Sequence, residues 1–314
     1  MPSAPFDFTL QVIAPVLLIL MLGYVLLKRR FISEGFVDSG SKLVFNIALP
    51  ALLFITISKA DFSLAANPTI LVVGIIGTLL FVAFLMVITH FTVQQPNAKG
   101  VVIQGGFRAN MGIIGLAYCS NAYGPEGLAV ASVYLGCITV LFNLLSVFVL
   151  NYYSGGAVSL LSSVKNLITN PLILAIVLAL PFSYFAVPLP SLAVKTGGYV
   201  AQLTLPLALL CTGASLQFRS FTGDLYNISL STISKCLLYP LVIVAGCALL
   251  GVREMELGVV LLMSVAPTAA ASYVMARNLG GDYRLAASII ATTTLVSLPV
   301  TAIAFSLLQN TRLL

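Results

Sequence analysis

The stretch Gly105-Gly106-Phe107-Arg108-Ala109-Asn110-Met111-Gly112 interrupts an apolar segment that is otherwise long enough to cross a bilayer. A second interruption, Ala266-Pro267-Thr268-Ala269-Ala270, falls in the middle of another apolar segment in the second half of the chain. Both contain what a lipid-embedded helix avoids: glycine, a proline, a side-chain amide or a full positive charge. An unsatisfied backbone group in hydrocarbon costs several kcal/mol, so broken helix at membrane depth survives only where it lines a protein cavity. Two such breaks at matching places in two half-chains are the sequence mark of a secondary transporter's binding site.

Working outward, the whole chain is solvated by lipid. Of its 314 residues, 60% are hydrophobic and 8% charged, and the mean hydropathy is +1.09. A soluble domain carries about 25% charged residues. The net charge of +6 sits at segment ends, which implies membrane topology and lipid headgroups as partners rather than nucleic acid. Cys119, Cys137, Cys211, Cys236 and Cys247 are scattered singly through apolar segments and read as packing residues, with no disulfide or metal framework.

A bilayer core takes about 20 apolar residues per helix. That ruler marks ten spans, at 9–27, 38–58, 68–91, 100–122, 126–151, 164–184, 190–215, 226–250, 255–277 and 284–308. Turn residues separate them, including Gln95-Pro96-Asn97, Gly124-Pro125, Ser154-Gly155-Gly156 and Gly280-Gly281-Asp282. The first is expected to be a true span and not a cleaved leader, because Lys28-Arg29-Arg30 follows its apolar run and no cation precedes it. Loops on one side hold nine cations: Lys28, Arg29, Arg30, Lys42, Lys99, Lys165, Arg219, Arg277 and Arg284. The other side holds four, Lys59, Lys195, Arg253 and Arg312. The positive-inside rule then puts both termini outside the cytoplasm.

The halves echo each other. Pro15 recurs as Pro171, Asn46-Ile47-Ala48-Leu49-Pro50 as Gln202-Leu203-Thr204-Leu205-Pro206, and Phe62 as Phe218, all at one shift. At a shift one residue longer, Asn121 and Gly124 fall on Asn278 and Gly281, and Asn110 falls on Pro267. Five spans per copy is odd, so the second copy enters the membrane upside down, giving an all-α polytopic membrane protein with a 5+5 inverted repeat.

The chemistry on offer is narrow. The acids Asp7, Glu34, Asp38, Asp61, Glu126, Asp224, Glu254, Glu256 and Asp282 all lie in loops or at span ends. There is no HExxH and no GxxxxGK[ST], and His90 is at a span end, so neither an enzyme nor an ATP-driven pump is expected, and no cofactor or metal. Two cations, Arg108 and Lys235, fall inside spans. An arginine at mid-helix costs about 2.5–3.5 kcal/mol even on the mildest scale, so Arg108 should face a cavity or a partner. It can grip a carboxylate with two hydrogen bonds, or it can snorkel and offset helix ends. Asn110 is suited to cap a helix start, and Pro267 removes a donor. Half-helices starting near Met111 and Thr268 would then aim positive dipole ends at mid-membrane. Amides, dipole ends and an arginine without a buried acid favour an anion. Asn46 and Gln202, each four residues before a proline, either donate to that anion or tie helices together. Thr268, Ser272 and Tyr273 could add hydroxyls.

Phe45-Asn46-Ile47-Ala48-Leu49-Pro50-Ala51-Leu52-Leu53-Phe54, Phe107 to Leu116 and Ala266-Pro267-Thr268 resemble the auxin efflux carrier family, which includes the plant PIN proteins and bacterial malonate- and malate-type carriers. The resemblance runs over the whole ten-span layout. It implies a fold like that of bile-acid sodium symporters and sodium/proton antiporters, with spans 4 and 9 crossed and broken. Spans 3–5 (64–158) and 8–10 (221–314) would form a moving core. Spans 1–2 (1–63) and 6–7 (159–220) would form a scaffold that dimerises, and the core would slide as an elevator. Plant members carry a proline where this chain has Ala109 and an apolar residue where it has Arg108. A small mono- or dicarboxylate therefore suits this chain better than the indole acid. The expected protein is a carrier of the bacterial inner membrane. A sodium-coupled symporter of bile-acid type and a ligand sensor that transports nothing remain open beside it.

Overall fold

In the computed structural model of the chain, residues 9–60, 67–154, 169–216, 224–311 and 313 are described. Everything regular among them is helical, and the strand-like pairing they contain is an isolated bridge between Ala109 and Thr268. The helices are α1 (Ala14–Lys28, led in by a π turn at Thr9–Ile13), α2 (Glu34–Lys59), α3 (Pro68–Thr92), α4 (Pro96–Phe107) and α5 (Leu116–Ser154, led in by a π turn at Met111–Gly115). They continue as α6 (Pro171–Tyr184), α7 (Ser191–Ala214), α8 (Leu225–Leu249), α9 (Glu254–Val265), α10 (Ala271–Asn278) and α11 (Tyr283–Asn310).

The starts follow local chemistry. Ser33 Oγ accepts the Phe36 N–H ahead of α2 at 3.2 Å, and Asn170 Oδ1 accepts the Leu172 N–H ahead of α6 at 2.9 Å. Asp282 Oδ1 accepts both the Arg284 and Leu285 N–H groups ahead of α11, each at 3.0 Å. Prolines at the first position open α3, α4 and α6, where a missing N–H loses nothing. Inside α5, Gly124 takes φ 61 and ψ −148 before Pro125, a kink that separates 116–123 from 125–154. Prolines also explain the π turns at Val44–Ala48 in α2 and Ser234–Leu238 in α8. Pro50 and Pro240 each lie four residues beyond a carbonyl in the turn, which their missing N–H cannot pair, and the turn widens to compensate.

Among the described residues, seven helical stretches are long and apolar enough to cross a membrane: Gln11–Lys28, α2, α3, Met111–Ser154, α7, α8 and α11. The ten-span reading needs more than these. It counts α6, which is apolar but has 14 residues, and treats α9 and α10, of 12 and 8 residues, as one interrupted crossing. It likewise joins α4 to the helix that follows the break. The half-helix expected near Thr268 begins at Ala271, three residues later, because Thr268 and Ala269 are occupied in the bridge. The repeat pair Phe62 and Phe218, the turn at Gly155-Gly156, the loop cations Lys165, Arg219 and Arg312, and residues 164–168 of the sixth span lie outside the described residues.

The chain divides into two compact units. The first comprises Met1–Pro68, Gly112–Cys137 and Val164–Ser215; the second comprises Thr69–Met111, Ile138–Ser163 and Leu216–Leu314. Helix α5 contributes to both. In the first unit, α1 packs on the second half of α7 through glycines. A Cβ on Gly213 would lie 2.0 Å from the Leu20 carbonyl oxygen, and one on Gly23 would lie 2.0 Å from that of Leu210. Small residues of this kind let membrane helices approach backbone to backbone. In the second unit, α4 is buried on all sides by α8, α10 and α11, and Gly105 leaves room for Ser231 and Ile289.

Candidate functional site

The site is the place in the second unit where α4 and α9 both stop. Arg108 closes α4 with an extended backbone (φ −73, ψ 90), and Ala266 closes α9 likewise (φ −49, ψ 139). Their continuations pair antiparallel. The Asn110 N–H donates to the Pro267 carbonyl at 2.7 Å, and the Ala269 N–H donates to the Arg108 carbonyl at 2.9 Å. Thr268 Oγ1 donates to the Gly105 carbonyl at 2.7 Å, taking up an end of α4, while Thr293 Oγ1 of α11 accepts the Thr268 N–H at 3.1 Å. Lys235 of α8 donates from Nζ to the Ser264 carbonyl at 2.5 Å, at the end of α9. Much of the backbone opened by the two breaks is therefore paired within the protein, which the apolar surroundings require.

What the crossing leaves for a ligand is mostly side chains. Arg108 is 7% exposed. Its Nη1 donates to Ser146 Oγ at 3.0 Å and its Nη2 to Asn143 Oδ1 at 2.8 Å, both on α5, whereas Nε has no partner among the described residues. These acceptors are neutral, so they fix the guanidinium without cancelling its charge. Ser272 Oγ and Gln104 Oε1 are likewise buried without a partner among the described residues. Asn110 is buried, and no hydrogen bond of its side chain joins it to the described residues, so the expected cap is not made. Met111 is buried at the start of the π turn that follows. Behind Arg108 stands an aromatic wall. Phe107 meets Phe142 at 5.4 Å, Phe142 meets Tyr239 at 6.2 Å, and Tyr239 shares a 2.9 Å hydrogen bond with Thr78. Lys235 Nζ lies 5.0 Å from the Tyr239 ring centre.

No acid among the described residues pairs with either buried cation. Asp224 and Asp282 are used as helix caps, and Glu254 and Glu256 sit in the first turn of α9. Nor do three His, Cys, Asp or Glu side chains gather as metal ligands among the described residues. Of the residues named from sequence, Arg108, Asn110, Met111, Lys235, Pro267, Thr268, Ser272 and Tyr273 all fall in the second unit. Asn46 and Gln202 belong to the first unit. Asn46 Nδ2 donates to the Lys42 carbonyl of its own helix at 2.8 Å, and Gln202 is exposed where α7 loosens at Leu203. Asn143, Ser146 and Thr293 were not singled out from sequence. Their signal was present only indirectly, since an arginine embedded in an apolar segment has to find neutral acceptors on a neighbouring helix.

Apolar helices of this length, with two broken segments hydrogen-bonded across each other around an uncompensated arginine, define an integral membrane protein of the transport class. Comparison with known proteins agrees. The chain belongs to the membrane transport protein family, that of the auxin efflux carriers, whose profile matches residues 8–159 and 157–305. It is 26% identical over 290 residues to an uncharacterized transporter of Methanothermobacter thermautotrophicus, covering 92% of this chain and 94% of that one. It is also 26% identical over 301 residues to one of Methanocaldococcus jannaschii, covering 94% and 97%. The uncharacterized transporter YfdV of Escherichia coli is 29% identical over 239 residues, 72% of this chain and 74% of its own.

Proposed function

We propose that this chain is a secondary transporter of a small organic anion, a mono- or dicarboxylate such as malonate or malate. The carboxylate binds at Arg108, flanked by Asn110, Thr268 and Ser272, with Pro267 and Met111 shaping the break. One observation carries this reading: a buried guanidinium is held by two neutral acceptors and keeps an unpaired N–H, so its charge is left for a ligand. Family membership supplies the transport, and the absence of an acid partner among the described residues supplies the sign of the cargo. Ten spans in a 5+5 inverted repeat, movement of a core against a dimeric scaffold, and an inner-membrane orientation with both termini outside complete the proposal. The excess of loop cations on one side supports that orientation.

The test is uptake of labelled malonate into proteoliposomes, wild type against Arg108→Gln, with and without a sodium gradient and an imposed potential. Saturable uptake that falls at least tenfold in the variant is expected. Uptake that needs sodium would shift the reading to a bile-acid-type symporter. Saturable binding without accumulation, across a panel of carboxylates, would replace the carrier with a sensor.

A further inference from the structure

The first unit holds a cavity of about 790 Å³ where the end of α2 meets the end of α6, the loop after it and the first turn of α7. Lys59 is its charged lining residue. Beside it Ser58 is 8% exposed, and its Oγ has no hydrogen-bond partner among the described residues. Ser183 Oγ donates to the Ala60 carbonyl at 2.7 Å and so pins the two helix ends together under the cavity. The opposite wall is fixed in advance. The Val187 N–H closes α6 onto the Phe182 carbonyl at 2.9 Å, with Ala186 between them in the left-handed region at φ 49. The chain then runs on through Pro188, Leu189 and Pro190, and proline holds each of its own φ angles.

Depth and lining chemistry choose the occupant. Tyr184 and Phe185 project outward at the same helix end, 65% and 70% exposed, as aromatic residues do at the boundary between hydrocarbon and headgroups. The cavity's polar lining includes a lysine and a hydroxyl without a partner among the described residues, and its apolar lining includes Phe182, Leu189 and Val194. A hydrated small anion would leave that apolar side unused, whereas a phospholipid matches both. Lys195 follows Val194 in sequence and adds positive charge nearby; Asp61, next after Ala60, lies outside the described residues. We propose that this cavity is a phospholipid site, with the lipid phosphate on Lys59 and Ser58 and the start of an acyl chain on the apolar wall. It is independent of the anion site at Arg108.

Native mass spectrometry of the full-length protein with added phosphatidylglycerol tests this, comparing wild type with Lys59→Gln, Val194→Trp and, as a control at a distant helix end, Lys42→Gln. One saturable lipid is expected on wild type and on Lys42→Gln. Binding should weaken at least tenfold in Lys59→Gln and in Val194→Trp, whose larger side chain crowds the apolar lining, with unchanged melting in the absence of lipid. Inorganic phosphate or malonate at millimolar concentration should not displace the lipid. Equal lipid retention by all four proteins would overturn the proposal, as would displacement by either soluble anion, which would make this a site for a free anion.

Discussion

The ammonium of Lys235 donates to the carbonyl of Ser264, one residue before the end of α9. The last carbonyls of a helix have no partner within it and carry its negative dipole end. A fully buried lysine from α8 supplies both the hydrogen bond and the opposite charge. Lys235→Met should therefore destabilise the protein by about 1.5–3 kcal/mol, the worth of a hydrogen bond from a charged group. A lowered melting temperature of the detergent-solubilised protein checks it. Lys235→Arg should not restore stability, because a planar fork does not fit where a compact ammonium meets one carbonyl.

Asn143 offers a sharper test of charge. Asn143→Asp keeps the acceptor that holds Arg108 Nη2 but adds a negative charge, so the guanidinium gains an internal counter-ion. Malonate uptake should fall at least tenfold while the melting temperature holds or rises. Asn143→Leu should lower both, since it leaves a buried cation one acceptor short. Unchanged uptake in Asn143→Asp would mean that the charge of Arg108 plays no part in binding the cargo.

Thr268→Val removes one hydroxyl and little volume. It leaves the buried Gly105 carbonyl without its 2.7 Å donor. A loss of about 1–3 kcal/mol is expected, and Thr268→Ser should recover most of it. Thermal melting of the two variants side by side separates the hydrogen bond from the methyl group.

Gly213→Ala should destabilise the first unit by about 1–3 kcal/mol or more. Its new methyl would lie 2.0 Å from the Leu20 carbonyl oxygen, and backbone on both sides has little room to yield. Gly198→Ala, whose Cβ would meet nothing within 4 Å, is the matched control and should melt as wild type does.

Sequence and structure agree best where backbone chemistry dictates the answer. Glycine, proline and a lone arginine in apolar surroundings located both breaks, because each is a residue type that helices in lipid tolerate poorly; Gly124-Pro125, expected as a turn between two spans, is a kink within α5. The partners at those breaks were not legible. Thr268 reads as a hydroxyl on offer to a ligand until its reach to Gly105 is seen, and nothing in the run around Asn143 and Ser146 says that Arg108 comes to them. For Asn46, four residues before Pro50, the sequence leaves a ligand amide and a tie between helices equally open. In the structure its Nδ2 donates to the Lys42 carbonyl of its own helix, in a turn that the proline has loosened. A span ruler, too, cannot distinguish a helix that crosses from two short ones that meet.

The bridge at the crossing has a consequence for how the protein is made. Thr268 and Gly105 are 163 residues apart, so the donor that satisfies the end of α4 does not exist when α4 leaves the ribosome. At about 5–20 residues per second, synthesis needs roughly 8–30 s to deliver it. Through that interval the open backbone around Arg108 must stay hydrated or be sheltered by the insertion machinery. A nascent chain stopped before α9 should therefore be held there or degraded, because the first half cannot release itself into lipid alone.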